Sequence, residues 1–246
     1  MKHTLFLLFP LMAAAFLSSC AWTEPESEAT GPEQTAVEMY GDVMSQEDQQ
    51  ALTPEGVMEL LAEGNDNYVR NALTPRDLPG QVRQGAAGQF PSAIVLSCVD
   101  SRVPVEYVFD KGIGDLFVAR VAGNFVNEDI LGSMEFACKV SGSKLIVVMG
   151  HESCGAVKSA IADVKLGNIT PMLAKIRPAV EAVDYPGDRT AGNAEFVQMV
   201  CEKNVENTIA QIRTQSPILK EMEDAGEIRI VGAVYDLDTG QVTFMP

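Results

Sequence analysis

Gly150-His151-Glu152-Ser153-Cys154-Gly155 contains one of only two histidines in the 246-residue chain; upstream stands Cys98-Val99-Asp100-Ser101-Arg102. The other histidine, His3, lies in an apolar leader. Two thiols and one imidazole are a zinc donor set, and Cys98, His151 and Cys154 leave a tetrahedral ion one open position, the catalytic arrangement rather than the closed structural one. His151 and Cys154 can be presented by one short turn that opens a helix, whereas Cys98 must arrive from another element. A cysteine phosphatase is excluded, because its arginine would fall where Pro104 stands. A thioredoxin-like site is excluded too, since no Cys-x-x-Cys occurs.

The elements that must position these residues show two periodicities. Segments 93–99, 116–121, 145–149 and 228–235 read as strands, mostly continuous apolar runs of the kind that a parallel sheet covers on both faces. A last strand, 241–245, follows the turn signal Asp238-Thr239-Gly240 and returns antiparallel. Thr53-Pro54-Glu55 opens a helix as an N-cap followed by proline, continued by Val57, Leu60, Leu61 and Tyr68. Further helices fit 127–140, 155–164, 171–183, 194–215 and 217–225. The alternation predicts an α/β fold, a Rossmann-like, mostly parallel sheet of about four strands with one antiparallel edge strand and helices on both faces. Ligands in such sheets gather at the carboxyl ends of strands. Cys98 ends the first strand, and His151 with Cys154 lies just past the third; if those strands are neighbours, the three side chains converge.

The ends carry different information. Residues 1–19 read as an export signal, with Lys2 before an apolar run too short to span a bilayer. Leu17-Ser18-Ser19-Cys20 resembles the bacterial lipobox, which implies lipidation of Cys20 and an exported, membrane-anchored protein in the periplasm or at the cell surface; the alternative is a plain secretory signal. Residues 21–50 carry eight acidic and no basic side chains, so 20–52 is expected to be a flexible tether. The net charge of −16 argues against nucleic acid and against anionic lipid, leaving a lipid anchor as the only membrane contact. Residues 53–246 suffice for one domain. Of the five cysteines, Cys138 and Cys201 fall in helical patterns and read as small buried hydrophobes.

Together, Cys98-Val99-Asp100-Ser101-Arg102 and His151-Glu152-Ser153-Cys154-Gly155 resemble the double signature of the β-class carbonic anhydrases, supported by Gly114-Asp115-Leu116-Phe117-Val118-Ala119-Arg120-Val121-Ala122-Gly123-Asn124 and Gly132-Ser133-Met134-Glu135-Phe136-Ala137. The resemblance implies reversible hydration of carbon dioxide to bicarbonate, with one zinc per subunit on Cys98, His151 and Cys154. It implies that Asp100 pairs with Arg102, and that Asp100 takes the fourth zinc position in a closed form if Arg102 lets go. Gln89 and Phe117 align with substrate-pocket residues of the plant-like branch that come from the neighbouring subunit, so a homodimer or a tetramer of dimers is implied. Val95 stands where the other branch has a tryptophan of its bicarbonate pocket. Phe136 replaces a tyrosine of the plant-like enzymes, and Val140 stands where some carry a histidine. Two alternatives stay open: hydrolysis of a related heterocumulene such as carbonyl sulfide or carbon disulfide, and a non-catalytic lipoprotein whose zinc is closed by Asp100.

Overall fold

Four parallel strands and one antiparallel strand form a single sheet in the order β2-β1-β3-β4-β5. The computed structural model describes residues 40–246; the export signal, Cys20 and residues 20–39 of the expected tether lie outside them. The strands are β1 (Ala93–Ser97), β2 (Leu116–Arg120), β3 (Leu145–His151), β4 (Arg229–Tyr235) and β5 (Val242–Phe244). β1 and β3 are buried along their whole length, whereas β2, at the edge, is half-buried through most of its length.

The period of two along each strand divides the core. Val95, Val147, Met149 and Ala233 face one layer with Val57, Leu61 and Phe109. Ile94, Leu96, Ile146 and Val148 face the other with Leu131, Met134, Val205 and Ile212. Before β1 come α1 (Gln46–Ala51), α2 (Pro54–Val69) and α3 (Leu78–Gly85); α4 (Val105–Val108) follows β1. Gly64 of α2 lies so close to the segment after α4 that a Cβ there would meet the Phe109 carbonyl oxygen at 1.9 Å. Beyond β2 come α5 (Glu128–Glu135) and, after β3, α6 (Gly155–Ile161), α7 (Ile169–Leu173), α8 (Arg177–Ala182), α9 (Ala194–Gln215) and α10 (Pro217–Asp224). Asn193 caps α9 by accepting from the backbone N–H groups of Glu195 and Phe196.

Several expected boundaries move. Residues 171–183 divide between α7 and α8, because Pro178, in the first turn of α8, lacks an N–H and its ring would clash with the carbonyl four residues back in a continuous helix. The 127–140 helix is α-helical only to Glu135, after which Phe136–Val140 widens into a π-turn. α3 and α4 were not expected. The expected tether also reaches too far: α1 lies inside it, opened by a reciprocal Ser45–Asp48 capping box. Gln49 is buried and donates to the carbonyls of Pro91, at 2.8 Å, and Ser141, at 2.7 Å. Those bonds tie residues 46–51 to the sheet layer, so the folded part starts upstream of residue 53. No described helix is long and apolar enough to cross a membrane.

Candidate metal centre

Because β1 and β3 are adjacent and parallel, with Leu96 paired to Val148, their carboxyl ends stand side by side. Cys98 directly follows β1. His151 is the last residue of β3 rather than a residue beyond it, since the ladder to β4 runs on to the His151–Tyr235 pair. The chain then turns through Ser153 at φ +51° and enters α6, with Cys154 at its N-cap. The left-handed residue folds the His-to-Cys segment back, so one turn presents both side chains to Cys98.

One ligand atom from each of Cys98, His151 and Cys154 lies within 4.8 Å of the other two, and all three residues are buried. Nδ1 of His151 is 2.8 Å from the Glu152 carbonyl oxygen, which can only accept, so Nδ1 carries the hydrogen and Nε2 is left with its lone pair. That Nε2 is buried and has no hydrogen-bond partner among the described residues. A hydrogen bond with Cys154 holds the Cys98 thiol well below its ordinary value against its burial, and the same contact drives Cys154 upward. The two thiols thus share a proton that a cation would displace. The Gly123 N–H also donates to Cys98 Sγ at 3.4 Å. Only glycine suits that position: its φ is +84°, and a Cβ would meet Ile176 Cδ1 at 2.4 Å. Asn204 of α9 fixes the Gly123 carbonyl from behind at 2.8 Å.

Asp100 stands at the mouth. Arg102 donates to it from Nε at 2.9 Å, from Nη2 at 2.8 Å and from its backbone N–H at 3.0 Å. The Arg102 fork keeps the Asp100 carboxyl well below the usual carboxylate range. Its Oδ2 is 3.7 Å from His151 Nε2, close enough to face whatever the three ligands hold while remaining bound to Arg102.

Within one chain, Gln89 and Phe117 do not join this cluster. Gln89 is exposed ahead of β1, at the end of that strand opposite Cys98. Phe117 lies on β2 beside Ile94, with its ring edge-on to Phe136 at 6.2 Å, in an open groove along the sheet edge. Cys138 and Cys201 are buried, and burial pushes each thiol up to about 12, as suits inert core residues. Sequence reasoning gave no role to Gly123, Asn204 or Arg120. Arg120 pairs with Ser97 in the β2–β1 register, so knowledge of the strand order would have placed it beside the Cys98 loop.

An α/β sheet carrying a buried Cys, His, Cys set at two neighbouring strand ends, with a forked carboxylate at its mouth, defines a metalloenzyme class of open strand-end sites. The family model described as carbonic anhydrase matches residues 93–242. Carbonic anhydrase 2 of Mycobacterium tuberculosis is 36% identical over 192 residues, covering 76% of this chain and 91% of that protein. A carbonic anhydrase of Pseudomonas aeruginosa is 32% identical over 165 residues, covering 64% and 74%. Among solved structures, the β-carbonic anhydrase CafA of Aspergillus fumigatus is 26% identical with a TM-score of 0.59, covering 68% of this chain and 81% of that one. The chain belongs to the carbonic anhydrase family, in its β class, and is a carbonic anhydrase enzyme.

Proposed function

We propose that the chain is a zinc carbonic anhydrase in which Cys98, His151 and Cys154 hold the ion and Asp100 with Arg102 manages the proton of the attacking water. The observation that carries this is a buried His151 whose Nε2 has no hydrogen-bond partner among the described residues, in a cluster whose ligand atoms, two of them thiol sulfurs, lie within 4.8 Å of one another, beside a carboxylate already committed to an arginine. A buried nitrogen lone pair without a partner is costly, and a cation removes that cost. Zinc, when bound, acts as a Lewis acid that makes hydroxide available near neutral pH for attack on carbon dioxide.

The residues divide the remaining work. Asp100, ionised throughout the working range, accepts a hydrogen bond from the nucleophile and aims its lone pair at the carbon. Arg102 holds that carboxylate away from the ion, and this fork is what favours an active site over a permanently closed one. As thiolates, Cys98 and Cys154 would offset the formal charge of a bound zinc, so activity is expected to rise toward alkaline pH. His151 is occupied as a ligand and residues 40–246 contain no second histidine, so the proton leaves through water, Asp100 or external buffer. Gln89 and Phe117 complete the substrate pocket from the partner of a homodimer, which explains their distance from the ligands in one chain. The leader supports export and anchoring through Cys20. Replacing Cys20 with alanine releases the protein from the membrane fraction if that reading holds, and leaves it there if it fails.

Metal analysis of variants alongside activity tests the site. Cys98→Ser and His151→Ala lose zinc and hydration together, whereas Asp100→Asn keeps zinc and loses at least about 100-fold in kcat. Zinc retained at full occupancy in His151→Ala contradicts the assignment.

A further inference from the structure

Where the ladder between β2 and β1 ends, one side chain takes over its task. The last backbone bond of that pair runs from the Val121 N–H to the Ser97 carbonyl. Beyond it the Cys98 segment leaves the sheet, and its carbonyls have no strand to meet. Arg120 fills the gap: Nε donates to the Cys98 carbonyl at 2.8 Å, and Nη2 donates to the carbonyls of Asp100 at 2.6 Å and Val103 at 2.9 Å. Its planar fork suits acceptors in such fixed directions, which a lysine would not match. Arg120 forms no ion pair with an acidic side chain among the described residues. Its charge is committed to the backbone of the loop that bears both a metal ligand and the active carboxylate.

We infer that Arg120 is a positioning residue for hydration, holding the 98–103 loop so that Asp100 stays in the Arg102 fork and Cys98 stays aimed at the ion. The inference rests on the reading of Cys98, His151 and Cys154 as the metal site. Asp100 is gripped from two ends, by Arg102 at its carboxylate and by Arg120 at its carbonyl. Val103, fully buried, anchors the far end of the loop. Releasing Arg120 frees the Cys98 and Val103 carbonyls and leaves the Asp100 carbonyl with only the longer bond from the Val103 N–H, at 3.2 Å, where a shift of about 1 Å in a positioned group costs on the order of 100-fold in rate.

The test uses the full-length zinc-loaded protein and four chains: wild type, Arg120→Ala, Asp100→Asn and the double variant. Arg120→Ala is expected to lower kcat by about 100-fold, with KM within about threefold and zinc stoichiometry unchanged after loading, because the loss falls on orientation rather than on uniform binding. It is also expected to release zinc to a chelator faster than wild type, a readout independent of turnover. In the Asp100→Asn background the same substitution is expected to change kcat by less than about threefold, since interacting residues are non-additive. A purely structural role gives the same fold-loss in both backgrounds, which overturns the inference, as does wild-type kcat in Arg120→Ala. Arg120→Lys keeps the charge without the fork and is expected to lose about tenfold, between the two extremes. If Arg120→Ala does not fold, Arg120→Lys decides alone: reduced kcat supports the inference and wild-type kcat overturns it. Wild type that binds no zinc, or hydrates no carbon dioxide when zinc-loaded, sinks the metal-site reading itself. An active wild type with an unaffected Arg120→Ala sinks only the inference about Arg120.

Discussion

Asp110 and Asp100 are two carboxylates held by arginines for different ends. Asp110 is buried at φ +47° and accepts from Arg76 at 2.6 Å, from the Thr74 N–H and hydroxyl, and from the Asn67 side-chain amide. Burial pushes its carboxyl up, but the bonds from Arg76, Thr74 and Asn67 outweigh it and leave the group below its ordinary value. A lowered folded-state value means that Asp110 stabilises the fold above the unfolded carboxyl value of about 3.9 and that this contribution fades as pH falls through the folded value. Asp110→Ala strands Arg76 and is expected to cost about 3–5 kcal/mol in urea unfolding at pH 7. Near pH 3 the difference from wild type should shrink; an unchanged gap there contradicts the linkage. The Cys98, His151 and Cys154 cluster was legible because thiols and an imidazole are rare and chemically distinctive. Asp110, Gln49 and Arg120 were not, because each acts through partners remote in sequence that common residue types do not disclose.

At the scale of elements, the long apolar strands and α9 were legible because continuous burial and a clean helical period repeat over many residues. Breaks in period were harder to see. The π-turn at Phe136–Val140 was not expected, and the α7–α8 interruption was signalled by Pro178 but is hidden by apolar residues that continue across it. α1 was missed because its exposed acidic face resembles the tether before it, while a single glutamine carries its attachment. Gln49→Ala removes the side-chain donor from the Ser141 carbonyl and leaves the Pro91 carbonyl with the Ser143 hydroxyl alone, and is expected to cost about 1–3 kcal/mol. Equilibrium denaturation checks this. A loss below the error of that measurement would mean that α1 is a decoration on the fold.

At the scale of the whole molecule, the sheet of the described residues ends on β2. Among the described residues β2 has one hydrogen-bonding side without a strand partner, and beside it Phe117 and the half-exposed Phe136 line a groove that also carries Glu128 and Asp129. A second copy that covers this edge would bury the groove and supply the missing pocket residues. If the proposed dimer forms, Gln89→Ala and Asp100→Asn are each expected to be impaired. Mixing and exchanging the two restores sites that combine one chain's Asp100 with the other chain's Gln89. A mixture no more active than the average of its parents contradicts sharing across subunits. The central claim, that the buried Cys98, His151 and Cys154 set works through bound zinc, is tested most directly by stopped-flow carbon dioxide hydration on one preparation before zinc removal, after it and after zinc is restored. The account predicts hydration that disappears with the metal, returns at one zinc per chain and rises from pH 7.5 to 8.5. Undiminished hydration by the zinc-free protein would contradict it.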